Sequence, residues 1–153
     1  MDRRYGRIAS AGPEVSRAPV SVKIEKRCHR APGSVVRMSI PGVEPTVPPS
    51  GTGCVECDAT GGWWVHLRRC TQCGHIGCCD NSPEQHGRKH AADTGHTVIT
   101  SFEPGEDWFY DFSNDNFYES GPALAPPDSR PADQPVPGPQ GRVPEDWRSK
   151  LNG

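Results

Sequence analysis

The sequence predicts a small α+β module, a sheet with one helix, stabilised by metal and flanked by disordered Pro/Gly-rich tails. Three observations carry this expectation. Eight candidate N/S ligands crowd together: Cys54-Val-Glu-Cys57, Cys70-Thr-Gln-Cys73, Cys78, His86-Gly-Arg-Lys-His90 and His96. Only 33% of the 153 residues are hydrophobic, against 17 glycines and 17 prolines, too few apolar groups for a core of ordinary size. The runs with strand or helix character surround the same ligands.

The elements follow in order. Residues 1–37 carry nine Lys/Arg against three acids, a net +6, while the remainder is net −8. This basic arm is aperiodic and is expected to be disordered. Within it Val20-Ser-Val-Lys-Ile24 alternates like an unpartnered short strand, and Met38 is an alternative start, because the chain from there reads as complete. Ile40 to Gly53, with Pro41, Pro45, Pro48 and Pro49, reads as an extended linker. Gly61-Gly62 marks a turn. Trp63 to Arg68 alternates as a strand, with Trp63, Val65 and Leu67 on one face. Cys73-Gly74 reads as a tight knuckle that points N–H groups at thiolate sulfur. A helix follows, with Asn81 or Ser82 as N-cap, Pro83 in the first turn and Gly95 as its stop. Thr97 to Thr100 is a second strand. Residues 102–119 hold seven aromatics, six acids and no basic residue. Eight prolines follow Gly121, and Pro144 to Leu151 is suited to one helical turn that docks Trp147. The domain reading is therefore 1–53 arm and linker, 54–119 finger, 120–153 proline-rich tail.

The cysteines do not read as a disulfide framework. Their number is odd (seven), and six lie between Cys54 and Cys79, interleaved with histidines. No apolar run of signal-peptide or membrane-spanning length is present, so a reducing cytoplasm is the expected compartment. Zinc held by four protein ligands has no open position for chemistry, which makes the expected metal role structural and the protein not an enzyme. The His86–His90 spacing resembles a metalloprotease HExxH, but Gly87 stands where the general-base glutamate belongs. Neither CxxC follows the His-x-Glu and Pro-Cys pattern of a zinc deaminase. A thioredoxin-like redox CxxC is the weaker reading of two pairs surrounded by histidines.

The order Cys-x2-Cys, Trp-bearing strand, Cys-x2-Cys-x4-Cys, His-x3-His-x5-His resembles the zinc finger of ubiquitin-specific proteases, the UBP-type finger. Gly53-Cys-Val-Glu-Cys57, Trp64-Val-His-Leu-Arg-Arg-Cys70, Cys73-Gly-His-Ile-Gly-Cys78-Cys79-Asp80, Thr94-Gly-His96 and Ser101-Phe-Glu-Pro-Gly-Glu-Asp-Trp108 are similar to its stand-alone bacterial branch. The resemblance covers residues 54–112, with extension to 119. It implies a compact α+β fold with a twisted sheet and interleaved ligand sets. By that pattern Cys54, Cys57, Cys78 and His86 hold a first zinc, and Cys70, Cys73, His90 and His96 a second. Cys79 is the spare thiol and the alternative to Cys78. Many family members hold a third zinc through an upstream Cys-x-His and a downstream Trp-Cys-x-x-Cys. Here Phe109 and Phe112 replace the downstream cysteines, and the adjacent Cys28-His29 does not match, so two zinc ions per chain are expected, with aromatic packing in place of the third.

Function is less legible. Family members that bind the free Gly-Gly terminus of ubiquitin read its carboxylate with an arginine two residues after the fifth cysteine, a position held here by Asp80. The resemblance therefore implies a peptide-binding site of Trp64, Asp80, Trp108 and Tyr110 that does not take the unmodified ubiquitin tail, unless Arg68 or Arg69 substitutes for the arginine. The competing reading makes those aromatics core. The function expected is a zinc-binding module for protein or peptide interaction. The alternative is an accessory redox or metal-responsive protein beside an oxidoreductase partner, resting on vicinal Cys78-Cys79. Nucleic acid is not expected, since the finger-bearing part is acidic, and neither is a membrane.

Overall fold

Five short strands form one antiparallel sheet in the computed structural model, which describes residues 39–151. The basic arm, the Val20–Ile24 strand, Cys28-His29 and Met38 lie outside the described residues. The strands are β1 Leu67–Cys70, β2 Ile76–Cys78, β3 Val98–Ser101, β4 Phe109–Asp111 and β5 Asn116–Tyr118, in the order β2-β1-β3-β4-β5. Helix α1 is Val55–Thr60 and helix α2 is His86–Thr94. The expected α+β class is therefore present, with more strands than two alternating runs suggest. The three-residue strands are too short to carry a period and are held by register: Leu67 opposite Cys78, Arg68 opposite Ser101, Ile99 opposite Tyr110, Phe109 opposite Tyr118.

Two boundaries differ from expectation for a local reason. Trp63–His66 is not strand, because Trp64 bridges only Gly138 and the Val65 N–H donates to Ser82 Oγ at 2.9 Å. Trp64 and Val65 are both buried, so the alternation breaks there. That bond also removes Ser82 from cap duty, and α2 begins only at His86, after Gln85 at φ 51°. The His86 N–H instead donates to Cys78 Sγ at 3.2 Å, so a ligand thiolate satisfies the helix's first donor. The stop is as expected: Gly95 sits at φ 76° with its N–H on the Ala91 carbonyl. Helix α1 has no sequence periodicity, and its only buried residue is the ligand Cys57.

Two clusters make the core. Cys54, Cys57, Trp64, Leu67, Ile76, Cys78 and Phe102 pack at the metal end, while Ile40, Val98 and Phe109 pack at the other. Gly77 on β2 lets α2 approach the sheet closely, since a Cβ there would lie 2.6 Å from the Gly87 nitrogen.

The expectation of disordered flanks does not hold between residues 39 and 151. The segment before Cys54 is fastened by Glu44 N–H to Thr71 O (2.9 Å), Ser50 N–H to Gly74 O (2.8 Å) and burial of Ile40. The proline-rich segment runs along the finger as an extended strap. Arg130 pairs with buried Glu103 at 2.6 Å, and Trp64 and Gly138 exchange backbone bonds of 2.7 and 2.9 Å. Buried Arg69 ties both flanks down, donating to Val47 O at 2.6 Å, Ala125 O at 3.0 Å and Pro127 O at 3.2 Å. Trp147, in a 3₁₀ turn over Trp147–Leu151, meets Trp63 edge to face, so the expected Trp docking is present. Prolines lack a donor but leave their carbonyls free, which suits a strap held by arginine donors. Among the described residues no helix is long and apolar enough to cross a membrane.

Candidate metal centres and an aromatic cavity

The eight ligands fall into two sets. Cys54 precedes α1, Cys57 lies within it, Cys78 ends β2 and His86 begins α2; their ligand atoms lie within 4.8 Å of one another. His86 Nδ1 is 3.3 Å from Cys54 Sγ, 3.3 Å from Cys57 Sγ and 3.5 Å from Cys78 Sγ, and the Cys57 and Cys78 sulfurs are 4.0 Å apart. Tetrahedral zinc with ordinary bond lengths sets its donors roughly 3.5–3.8 Å apart, so this set fits. All three cysteines are fully buried.

In the second set Cys70 ends β1, Cys73 occupies the knuckle, His90 lies one helical turn beyond His86 and His96 follows the Gly95 stop; these ligand atoms also lie within 4.8 Å. His90 Nε2 is 3.3 Å from Cys73 Sγ. His96 Nδ1 is buried with no hydrogen-bond partner, an orphan that a metal ion would satisfy. Cys73 is exposed, and both histidines are only half-buried. Helix α2 thus serves both centres, His86 for one and His90 for the other. Cys79 joins neither set; it is buried, with its sulfur 3.4 Å from Ser82 Oγ. Of the two vicinal cysteines, it is Cys78 whose sulfur joins a set.

The electrostatics suit a metal. In the first set S–H donation from Cys54, then from Cys57, lowers Cys78 to about 2 despite burial, while sharing with Cys54 and Cys78 drives Cys57 far up. The three thiols act as one proton-sharing unit, which a cation would deprotonate throughout. In the second, burial is the main cause that raises Cys70 to about 11. Burial, then the neighbouring His75 and His96, lower His90, a shift toward the neutral imidazole that ligation requires. Zinc bound by these residues supplies folding free energy and cross-links distant segments.

The proposed peptide-contacting residues separate. Trp108, Tyr110 and Asp80 line one cavity of about 280 Å³ beside β4, together with Arg68, Arg88 and Phe117. Trp64 does not; at 1% exposure it is core, wedged between Gly53 and Gly138, so its assignment to that site is corrected. Arg69 is also spoken for by the flanks. Arg68 lies over the Trp108 ring at 4.8 Å, and Arg88 lies over Phe112 at 4.7 Å while pairing with Asp80. Sequence reasoning missed Arg88 and Phe117. Arg88 sits two positions after a ligand histidine, off the ligand face. Phe117, 59% exposed, is one aromatic among seven in its segment.

Two closed Cys/His sets on a small antiparallel sheet define a structural zinc finger. Residues 54–122 match the family described as Zn-finger in ubiquitin-hydrolases and other protein. The solution NMR structure of Protein RPA1320 from Rhodopseudomonas palustris is 36% identical, with a TM-score of 0.51, and the match covers 65% of this chain and 95% of that one. A search of curated proteins returned no match. The chain belongs to the UBP-type zinc-finger family. Two zinc sites fit its ligands, and Phe109 is core where a third set would need a cysteine.

Proposed function

We propose that this finger is a non-catalytic module for protein interaction, working in a reducing compartment and receiving an extended peptide at the aromatic cavity. One observation carries the reading: the cavity is walled by Trp108, Tyr110 and the exposed Phe117, with guanidinium groups from Arg68 and Arg88 at its sides. Aromatic and arginine side chains in a concave surface are what peptide-binding sites use. The ligand is not a free carboxylate terminus, because Asp80 already occupies Arg88 and repels a second anion.

Affinity capture from the native cytosol, followed by calorimetry with the captured partner's own segments, tests this. Trp108→Ala should abolish binding and leave zinc content unchanged; retained binding would place the interface elsewhere. A peptide ending in free Gly-Gly should give no heat with the wild type, and Asp80→Arg should create measurable binding. Tight wild-type binding of that peptide would instead make Arg68 or Arg88 a carboxylate reader. A metal-responsive role beside an oxidoreductase is the second reading, favoured by the exposed ligand Cys73.

A further inference from the structure

We propose that Glu56 and His75 couple the two metal centres through His90, acting as positioning residues for the second. Glu56 lies between the first-set ligands Cys54 and Cys57 on α1. One carboxylate oxygen is 3.6 Å from Cys54 Sγ, and the other is 2.7 Å from His75 Nε2. A carboxylate only accepts, so His75 must donate from Nε2. His75 directly follows the second-set knuckle, and its carbonyl accepts the Cys70 N–H at 2.8 Å. Its side chain is 15% exposed, and its ring lies parallel to that of His90, with centroids 4.1 Å apart and planes 2° apart. His90 in turn stands 3.3 Å from Cys73 Sγ. Once metal has deprotonated Cys54 the link to Glu56 is the α1 backbone it shares with Cys57, and from there a line of contacts runs through His75 to a ligand of the open centre.

The chemistry gives this line a direction. Donation to the carboxylate makes the His75 ring electron-rich, whereas a metal ion on His90 draws electrons from that ring. Two such faces attract when stacked in parallel, and metal on His90 strengthens the attraction. Metal in the first set also fixes α1, since two of its residue positions flank Glu56, and so fixes the carboxylate that orients His75. Loading the first centre thus raises the affinity of the second, and by reciprocity the second stabilises the first. Helix α2 connects the centres as well through His86 and His90, so the contribution of Glu56 and His75 has to be separated from it by mutation.

The full chain exchanged with cadmium-113 gives one NMR signal per centre, and competition with a chelator yields an affinity for each. Outer-shell partners of ligand histidines typically contribute 10- to 100-fold in metal affinity. Glu56→Ala and His75→Ala are each expected to weaken the second centre, measured with the first loaded, by at least about tenfold, and to leave the first, measured with the second empty, within about threefold. His75→Phe keeps a stacked ring but cannot bond Glu56, so adding Glu56→Ala to it should change nothing further. Glu56→Gln, which keeps size and hydrogen bonding, should restore most of the loss. Unchanged second-centre affinity in the single variants overturns the coupling. So do losses that multiply in the double variant, or an equal loss at the first centre measured with the second empty. If Glu56→Ala or His75→Ala fails to fold, Glu56→Gln and His75→Phe decide alone: a selective loss in His75→Phe supports the coupling, and no loss refutes it.

Discussion

The two metal centres share helix α2, yet one is a sealed set of three cysteines and a histidine and the other an open set of two cysteines and two histidines. Cys54, Cys57 and Cys78 are fully buried and belong to the core cluster with Trp64, Leu67 and Phe102. In the second set Cys73 is exposed and His90 and His96 are half-buried. The first centre substitutes for a hydrophobic core that the composition cannot supply. The second fastens the knuckle and the end of α2 to the sheet. A buried thiolate set left without metal strands three coupled sulfurs, whereas an open set without metal can be solvated.

The largest effect tests the shared role. Chelation of both ions should unfold residues 54–112, because structural zinc supplies on the order of 10 kcal/mol. Loss of NMR dispersion would report it, and a chelated protein that keeps its dispersion would contradict it. Next comes the asymmetry. Cys78→Ser should abolish the cooperative thermal transition, while Cys73→Ser should stay folded with one zinc and a lower Tm. Under mild chelator, zinc should leave in two equal phases, the second-set ion first. A single phase would erase the distinction between the centres. Both centres bind metal through deprotonated sulfur and neutral imidazole, so falling pH should release zinc. The second ion is expected to leave at the higher pH of the two, because its Cys73 is exposed and it depends on two half-buried histidines, where the first centre has one histidine and three buried sulfurs.

A smaller effect concerns the flanks. Arg69→Met removes three carbonyl contacts from a buried guanidinium and should destabilise the protein by about 2–4 kcal/mol. It should also open residues 122–130 to limited proteolysis without releasing zinc. Smallest of all, Lys89→Ala breaks a pair with Glu84 that is more than half exposed, and should move the denaturation midpoint by no more than about 0.5 kcal/mol.

The same contrast explains what the sequence made legible. Metal ligands are punctuated by fixed spacing, so all eight are legible in the sequence, and the family resemblance implies a pairing that matches the two clusters of the fold. The stop at Gly95 was readable because only a left-handed cap places glycine there. Helix α1 was not, since its order comes from Cys54 and Cys57 rather than from an apolar stripe. The start of α2 was misplaced because Ser82 caps a neighbouring loop while a thiolate caps the helix. The strap escaped notice for a related reason: its anchors are single residues, Arg69, Arg130 and Gly138, scattered through a composition typical of disorder. The resemblance implies Trp64 for the binding cavity, but its ring is packed between Gly53 and Gly138 at 1% exposure, which separates it from Trp108.

The pairing of ligands is the central claim, and scalar coupling from cadmium-113 to ligand protons reads it directly. The account predicts two signals of equal area. One should couple to Cys54, Cys57, Cys78 and His86, the other to Cys70, Cys73, His90 and His96. A signal coupled to both Cys57 and Cys70, or one coupled to Cys79 in place of Cys78, would contradict it.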